Sequence, residues 1–133
     1  MKLTAHFSEH EFNCPCCNRR VIAERLPEAL EDLRTKFCQE MQQIVPIHLI
    51  SAYRCKAHNK VVGGEDRSKH LLGQAVDIHS YGKKGTGISP EKMKELAEKI
   101  SDFNFGGIGI YDWGIHVDVR GHKARWDRRS KKQ

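Results

Sequence analysis

The sequence lacks long apolar runs, internal repeats and low-complexity linkers. No apolar stretch approaches the roughly 20 residues that cross a bilayer, so a membrane-spanning protein is not expected. The opening residues, MKLTAHFSEHEF, contain no apolar segment typical of a signal peptide, so the sequence predicts no secretory leader. Because 133 residues fit one domain and no change in composition divides them, we expect a single domain over residues 1–133.

Cysteine is sparse and odd in number, and no second CxxC motif accompanies the first. Without a secretory signal, reduced thiols are the default. A zinc clip made of Cys14 and Cys17, completed by another cysteine or by His6 or His10, is compatible with the NCPCC stretch, but so are ordinary free thiols. The five cysteines are Cys14, Cys16, Cys17, Cys38 and Cys55.

Positive charge exceeds negative charge and is concentrated near the C-terminus. The formal net charge is +6 at pH 7, and residues 121–133 read GHKARWDRRSKKQ. Such a stretch is typical of a surface that binds a polyanion, for which nucleic acid and an anionic cell wall both qualify, or of a flexible, solvated tail. One hypothesis is therefore a nucleic-acid-binding element made of this tail and the CPCC stretch.

Two amphipathic helices are predicted. The first runs from Leu26 towards Val45, and Pro46 ends it. The second begins with Ser89 as N-cap and Pro90 at the first helical position. The apolar stripe of the first helix comprises Leu26, Leu30, Leu33, Phe37, Met41 and Ile44, and that of the second comprises Met93, Leu96, Ala97, Ile100 and Phe103. The FSEHEF stretch has the capping-box spacing of a short helical turn.

Four short strands complete the expected fold. IHLISAYR and QAVDIHS each read as one strand, and GGIGIYDWGIHVDVR reads as two strands around a turn near residues 112–114. Helices and strands do not alternate regularly, which favours an α+β fold with a small antiparallel sheet packed with helices. Alternation along a strand would place Ala75, Asp77 and His79 on one face, and His116 with Asp118 on one face of another strand.

His70, Asp77 and His116 form a candidate metal-binding set. Zinc accepts imidazole nitrogen and carboxylate oxygen, and a catalytic zinc ion keeps three protein ligands with one open position. In a chain with eight histidines such a triple also arises by chance. Spacing alone therefore leaves open the alternative that these side chains are loop caps or surface groups.

Four separated motifs resemble one family of peptidases. SKHLLGQAVDI is similar to the Ser-x-His-x-x-Gly-x-Ala-x-Asp motif of the zinc D-alanyl-D-alanine carboxypeptidases and their phage endolysin relatives, which cut the peptides of bacterial cell wall. SAYRCKAHNKVVGG resembles the Ser-x-Tyr-Arg segment of this family, GGIGIYDWGIHVDVR resembles its closing strand, and HFSEHEFNCPCC resembles the opening of one subgroup. The resemblance spans the chain from His6 to Arg120.

This resemblance implies a Hedgehog-like or D-Ala-D-Ala-peptidase-like fold with one catalytic zinc ion. Arg54 falls on the arginine that grips the substrate carboxylate, a role that suits its planar guanidinium. Independently of the resemblance, Ser68 is expected to orient the first ligand, to touch substrate or to stabilise its own loop. Tyr53 is expected either to donate to an oxyanion of the substrate or to serve in packing. The implied zinc ligands are His70, Asp77 and His116.

The sequence departs from the family pattern at the general base. Many relatives have an acidic residue three positions before the last ligand or a histidine two before it, where this chain has Trp113 and Gly114. We expect Asp118 to act as the base, because it shares a face with His116. If Asp118 instead orients His116 or Arg54, the base would be Asp112.

The implied function is metal-assisted hydrolysis of peptidoglycan stem peptides, either at D-Ala-D-Ala, at L-Ala-D-Glu or at a cross-bridge. Zinc would activate water and polarise the scissile carbonyl while a carboxylate moves the proton. We expect a monomer that waits in the cytoplasm, encoded by a phage or prophage, and that acts in the periplasm or cell wall on release. The alternatives are a non-catalytic zinc-binding module, as in the Hedgehog signalling domain, and a basic protein that binds nucleic acid or cell wall.

Overall fold

The computed structural model of the chain describes residues 1–80, 87–101 and 104–130. Two short 3-10 turns, Glu9–Phe12 and Lys69–Leu72, lie in these ranges. None of the described helices is long and apolar enough to cross a membrane. The helices and strands are α1 (Leu26–Met41), β1 (His48–Ser51), α2 (Lys56–Val61), β2 (Ala75–His79), α3 (Pro90–Lys99), β3 (Gly107–Ile110), β4 (Ile115–Asp118) and β5 (Ala124–Asp127).

The five strands form one sheet in the order β1-β2-β4-β3-β5. Neighbouring strands are antiparallel except β3 and β5, which are parallel. The expected α+β class and the hairpin of β3 and β4 are confirmed, whereas the sheet is mixed rather than wholly antiparallel. The difference arises because β5 lies in the basic C-terminal stretch, where no alternating apolar pattern predicts a strand.

Helix α3 begins where its cap predicts, whereas α1 ends earlier than expected. The Ser89 hydroxyl accepts a hydrogen bond from the backbone N–H of Lys92 (3.1 Å), as expected of an N-cap. Gln42 adopts a left-handed conformation (φ 54°) and ends α1 four residues before Pro46. Ile44, expected on the apolar stripe, is therefore outside the helix and 79% exposed, which corrects that prediction. Phe103 lies outside the described residues.

One face of the sheet packs on the helices. Alternation along the strands turns Val76, Ile78 and Val117 towards this side, where they are fully buried with residues of α1 and α3. Complete burial of such side chains contributes about 1.5–3 kcal/mol each. Since a shift of one residue in register would turn these side chains to the other face, the apolar core also determines which polar side chains face away from it.

The opposite face carries a row of residues that crosses four strands. The register pairs Asp77 with His116, His116 with Gly109, and Gly109 with Trp126. A side chain at Gly109 would overlap the indole of Trp126, so glycine allows this ring to lie flat beside the row. Asp77 and His116 were expected on the polar faces of two strands. In the structure they are direct cross-strand partners.

Part of the basic stretch considered above as a tail is held in the fold. Residues 124–127 form β5, and residues 131–133 lie outside the described part of the chain. Arg125 pairs with Glu98 (2.6 Å), Arg128 pairs with Glu65 (2.7 Å), and Arg129 pairs with acidic side chains of α3 and β5. These pairs neutralise much of the local charge, which weakens the case for a polyanion-binding tail.

Candidate metal centre

His70 is presented by a tight turn. The Ser68 hydroxyl accepts a hydrogen bond from the His70 backbone N–H (3.2 Å) at the start of the 3-10 turn. Gly73 ends the turn in a left-handed conformation (φ 69°), and a side chain there would overlap the backbone of Val21. Both residues belong to the motif around His70, so the local sequence predicts the placement of this imidazole, which is 2% exposed.

The three expected ligands converge on one point. Asp77 Oδ1 lies 3.1 Å from His70 Nε2 and 3.0 Å from His116 Nδ1. The candidate ligand atoms of the three residues all lie within 4.8 Å of one another. Two imidazole nitrogens and a carboxylate oxygen are a donor set that zinc prefers, and three protein ligands leave a position open for water or substrate.

The other ring nitrogen of each histidine donates a hydrogen bond to a nearby oxygen. His70 Nδ1–H donates to the Ala52 carbonyl (2.6 Å), and His116 Nε2–H donates to Asp118 Oδ2 (2.8 Å). Each bond places the ring proton away from Asp77 and leaves the inner nitrogen with a lone pair. Metal-binding histidines in proteins almost always have such an outer acceptor, so the residues present fit a zinc ion.

The protonation of the site follows from the same contacts. Burial by itself raises the pKa of Asp77, but hydrogen bonds with His116 and His70 outweigh burial and hold this pKa well below its usual range. Burial lowers the pKa of His116, but the bonds with Asp118 and Asp77 outweigh it and raise this pKa above 6.5. Without a cation between them, the two residues therefore form an ion pair.

A cavity of about 600 Å³ opens beside the three ligands and gives them access to solvent. Tyr111 and Trp113 line it with stacked rings whose centroids lie 4.7 Å apart. The Trp126 indole N–H donates to the Tyr111 hydroxyl (2.9 Å), and its ring centroid lies 4.9 Å from that of His116. Aromatic walls of this kind are typical of cavities that bind a ligand.

The ordered motifs, the convergent ligands and the adjoining cavity agree with a comparison to known families. The family model of Peptidase M15 matches residues 5–118. The chain belongs to the Peptidase M15 family. Among curated proteins, none matches the sequence significantly. Membership in M15 confirms the resemblance drawn from the motifs and identifies the chain as a member of a peptidase family.

Asp118, expected as the general base, lies behind His116 in this M15 chain. Its side chain is fully buried, and its oxygens accept hydrogen bonds from His116 Nε2, from the Gly107 N–H (3.1 Å) and from Arg120 Nε (2.8 Å) and Nη2 (2.7 Å). Burial raises the pKa of Asp118, but the bonds to His116 and Arg120 outweigh it and hold the pKa well below its usual range. A buried carboxylate with so little affinity for a proton is suited to orienting His116 and poorly suited to accepting a proton from substrate water.

Asp112, the alternative base, stands in the turn between β3 and β4. Its carboxylate accepts hydrogen bonds from the Ser130 N–H (3.1 Å) and hydroxyl (2.6 Å), and these lower its pKa. Its neighbours Tyr111 and Trp113 line the cavity, whereas the Asp112 side chain does not. Asp112 is therefore ionised at neutral pH and close in sequence to the cavity wall, but its carboxylate is hydrogen-bonded to Ser130.

Arg54 is brought to the site by the loop after β1. Its guanidinium donates to Asp77 Oδ2 (3.4 Å), to Asn59 Oδ1 (2.9 Å) and to Ser51 Oγ (3.2 Å). These bonds leave one N–H on each terminal nitrogen for a substrate. A side chain at Gly64 would overlap Asn59 and Arg54, so this close approach requires glycine.

Of the two residues expected to contact substrate, only one lies at the cavity, and the sequence did not predict the residue that holds Arg54 in place. Ser68 lines the cavity, whereas Tyr53 does not. Asn59 is 4% exposed and joins Arg54 to the loop above the cavity, because its amide also donates to the Glu65 carbonyl (2.9 Å). The signal for Asn59 was present in AHNKVVGG, the segment that resembles the family, but an asparagine in a helix suggests no role by itself.

Proposed function

We propose that the chain is a zinc peptidase that hydrolyses the stem peptides of bacterial peptidoglycan, with His70, Asp77 and His116 as zinc ligands. The observation that carries the proposal is the meeting of both imidazoles at one oxygen of Asp77, each with its outer nitrogen bound to an acceptor. On this proposal the enzyme works as a monomer in the periplasm or cell wall after release from the cytoplasm.

The protein would contribute orientation and charge. The chemistry that a zinc ion supplies at such a site is polarisation of a carbonyl and a lower pKa for water. Asp118 holds the proton of His116 on Nε2, so that Nδ1 keeps its lone pair. Arg54 lines the cavity and retains two N–H groups that can bind a substrate carboxylate or carbonyl, and the aromatic wall borders one side of the cavity.

The charge of the cavity favours an anionic peptide. Only Asp77 and Glu65 are carboxylates among the described residues that line it, and Glu65 is paired with Arg128. Peptidoglycan stem peptides carry free carboxylates, which this excess of cations would attract, more weakly as salt concentration rises. The cationic side chains of the cavity are Arg54, Arg67, Lys69, Arg120 and Arg128.

For the proton transfer we assign Asp112. The burial and the bonds of Asp118 remove it from contact with substrate, and Asp112 is the remaining expected carboxylate. It flanks two residues of the cavity wall, and it is ionised at neutral pH. Exchange of its bonds to Ser130 for one to a water molecule of the cavity would let it accept the proton of that water.

The decisive test is digestion of purified peptidoglycan by the zinc-loaded protein, with mass spectrometry of the released muropeptides. We expect new amino or carboxyl termini in stem peptides, and their masses identify which bond is cut. His70→Ala, Asp77→Ala and His116→Ala should each abolish hydrolysis and lower zinc content. His48→Ala is the matched control, because this histidine is exposed on β1 and does not line the cavity.

A non-catalytic zinc-binding module is the second candidate. It is favoured by one observation, namely that neither carboxylate expected as a base lines the cavity. The same digestion separates the two candidates. A protein that holds zinc at the three ligands and yet produces no new termini from several wall chemotypes would be the binding module.

A further inference from the structure

Three cysteines from two distant segments meet beside the loop that carries Arg54. The sulfurs of Cys14, Cys17 and Cys55 lie within 4.8 Å of one another, although Cys55 is 41 residues from Cys14. The sulfurs of Cys14 and Cys55 are 3.8 Å apart. This is far longer than a disulfide bond of about 2.05 Å, and three sulfurs around one point match the ligand arrangement of a thiolate metal site.

A fourth thiol lies beside this group. The Cys16 thiol interacts with that of Cys55, and this interaction is the main cause of a raised pKa at Cys16. His6, a candidate from the sequence, is instead paired with Glu31 (2.9 Å). The remaining cysteine, Cys38, contacts the backbone of Val45 and lies outside the cluster.

Backbone amides surround these sulfurs. The His58 N–H donates to Cys55 Sγ (3.4 Å), and backbone N–H groups of Cys55, Cys17 and Cys16 donate to the Cys14 sulfur. Burial opposes ionisation of Cys14, but these amides outweigh it and lower its pKa to about 7. A tight turn produces this arrangement, because the Asn18 N–H donates to the Cys14 carbonyl (2.8 Å) with Asn18 in a left-handed conformation.

We propose that Cys14, Cys16, Cys17 and Cys55 bind a structural zinc ion, separate from the ion at His70, Asp77 and His116. Four thiolates complete the tetrahedral shell of a closed zinc site, and their combined negative charge requires a cation. Cys55 directly follows Arg54, so the ion would tie the N-terminal segment to the loop that carries the substrate-binding arginine. The sequence left free thiols and a zinc clip as alternatives. The fold places Cys55 beside Cys14 and Cys17, which favours the clip.

The first test is the metal content of His116→Ala, in which the other site is disrupted. We expect the purified variant to retain about one zinc ion per chain, and a mercurial reagent that modifies thiols to release it. Cobalt-loaded protein should show a sulfur-to-cobalt charge-transfer band in the near ultraviolet with the visible bands of tetrahedral cobalt. These measurements do not depend on peptidase activity, so they can succeed or fail independently of the proposed function.

Cysteine variants provide the second test. Cys16→Ser and Cys17→Ser, at exposed positions, should weaken zinc retention and diminish the cobalt–sulfur band, whereas the matched control Cys38→Ser should leave both unchanged. Loss of all zinc from His116→Ala, or absence of the sulfur band in folded wild-type protein, would overturn the proposal. So would a Cys14–Cys55 disulfide in the protein as purified under non-reducing conditions.

Discussion

Replacement of Asp118 by asparagine distinguishes orientation of a ligand from acid–base catalysis. In the native protein both Asp118 oxygens accept hydrogen bonds, Oδ2 from His116 Nε2 and from Arg120 Nη2. The asparagine oxygen can replace Oδ1, which accepts from the Gly107 and Arg120 N–H groups. The amide NH₂ then faces His116 Nε2 and favours the tautomer with the proton on Nδ1, the nitrogen that faces Asp77.

We expect Asp118→Asn mainly to lower the affinity of the protein for zinc. Removal of an outer partner of a metal-binding histidine typically weakens metal binding about 10- to 100-fold, or roughly 1.4–2.8 kcal/mol. We expect Asp118→Asn to lie near the upper end, because it not only removes an acceptor but also places a donor against Nε2. At saturating zinc, turnover should recover most of its wild-type value, since Asp118 does not reach the cavity.

The assay is competition with a fluorescent zinc chelator, followed by turnover at increasing zinc. Asp127→Asn serves as control, because this carboxylate is exposed at the end of β5 and pairs with Arg129. Substitution of cobalt for zinc distinguishes the two sites. Cobalt bound at the cysteines gives sulfur-to-cobalt charge-transfer bands, whereas cobalt bound at the histidines does not. Unchanged zinc affinity together with a loss of turnover of about 10²-fold or more would refute the orienting role and restore Asp118 as the base.

Two further predictions concern the base and the pH dependence of stability. Asp112→Asn should lower kcat by about 10²- to 10⁴-fold with zinc content unchanged, and Glu65→Gln should not; the reverse pattern in a steady-state assay would reassign the base. In metal-free protein the raised pKa of His116 stabilises the fold below pH 6.5, and this contribution is lost as pH rises through the folded-state pKa. The free energy of unfolding, measured with urea at about pH 6 and about pH 8, should therefore fall with pH in the metal-free protein. It should rise in the zinc-loaded protein, because zinc binds deprotonated histidine; equal slopes would contradict the assigned contacts.

Local patterns predicted those parts of the fold that are stabilised locally. Ser89 and Pro90 begin α3 because a cap hydroxyl and a preset φ act within one helical turn. The β3–β4 hairpin was also predictable, since a short turn joins strands adjacent in sequence. The end of α1 was not, because the left-handed conformation of Gln42 precedes the proline that marked the boundary.

The sequence by itself determined which residues are candidate ligands, through motifs whose order resembles the M15 family, but not their convergence. Asp77 and His116 are 39 positions apart, and they meet because apolar residues on the other face of β2 and β4 set the register. The partners of Asp118 and Cys55 were decided only by the tertiary structure. Whether a carboxylate or a thiol touches substrate, a neighbouring ligand or an ion depends on burial and on partners from distant segments, and neither is contained in a local pattern.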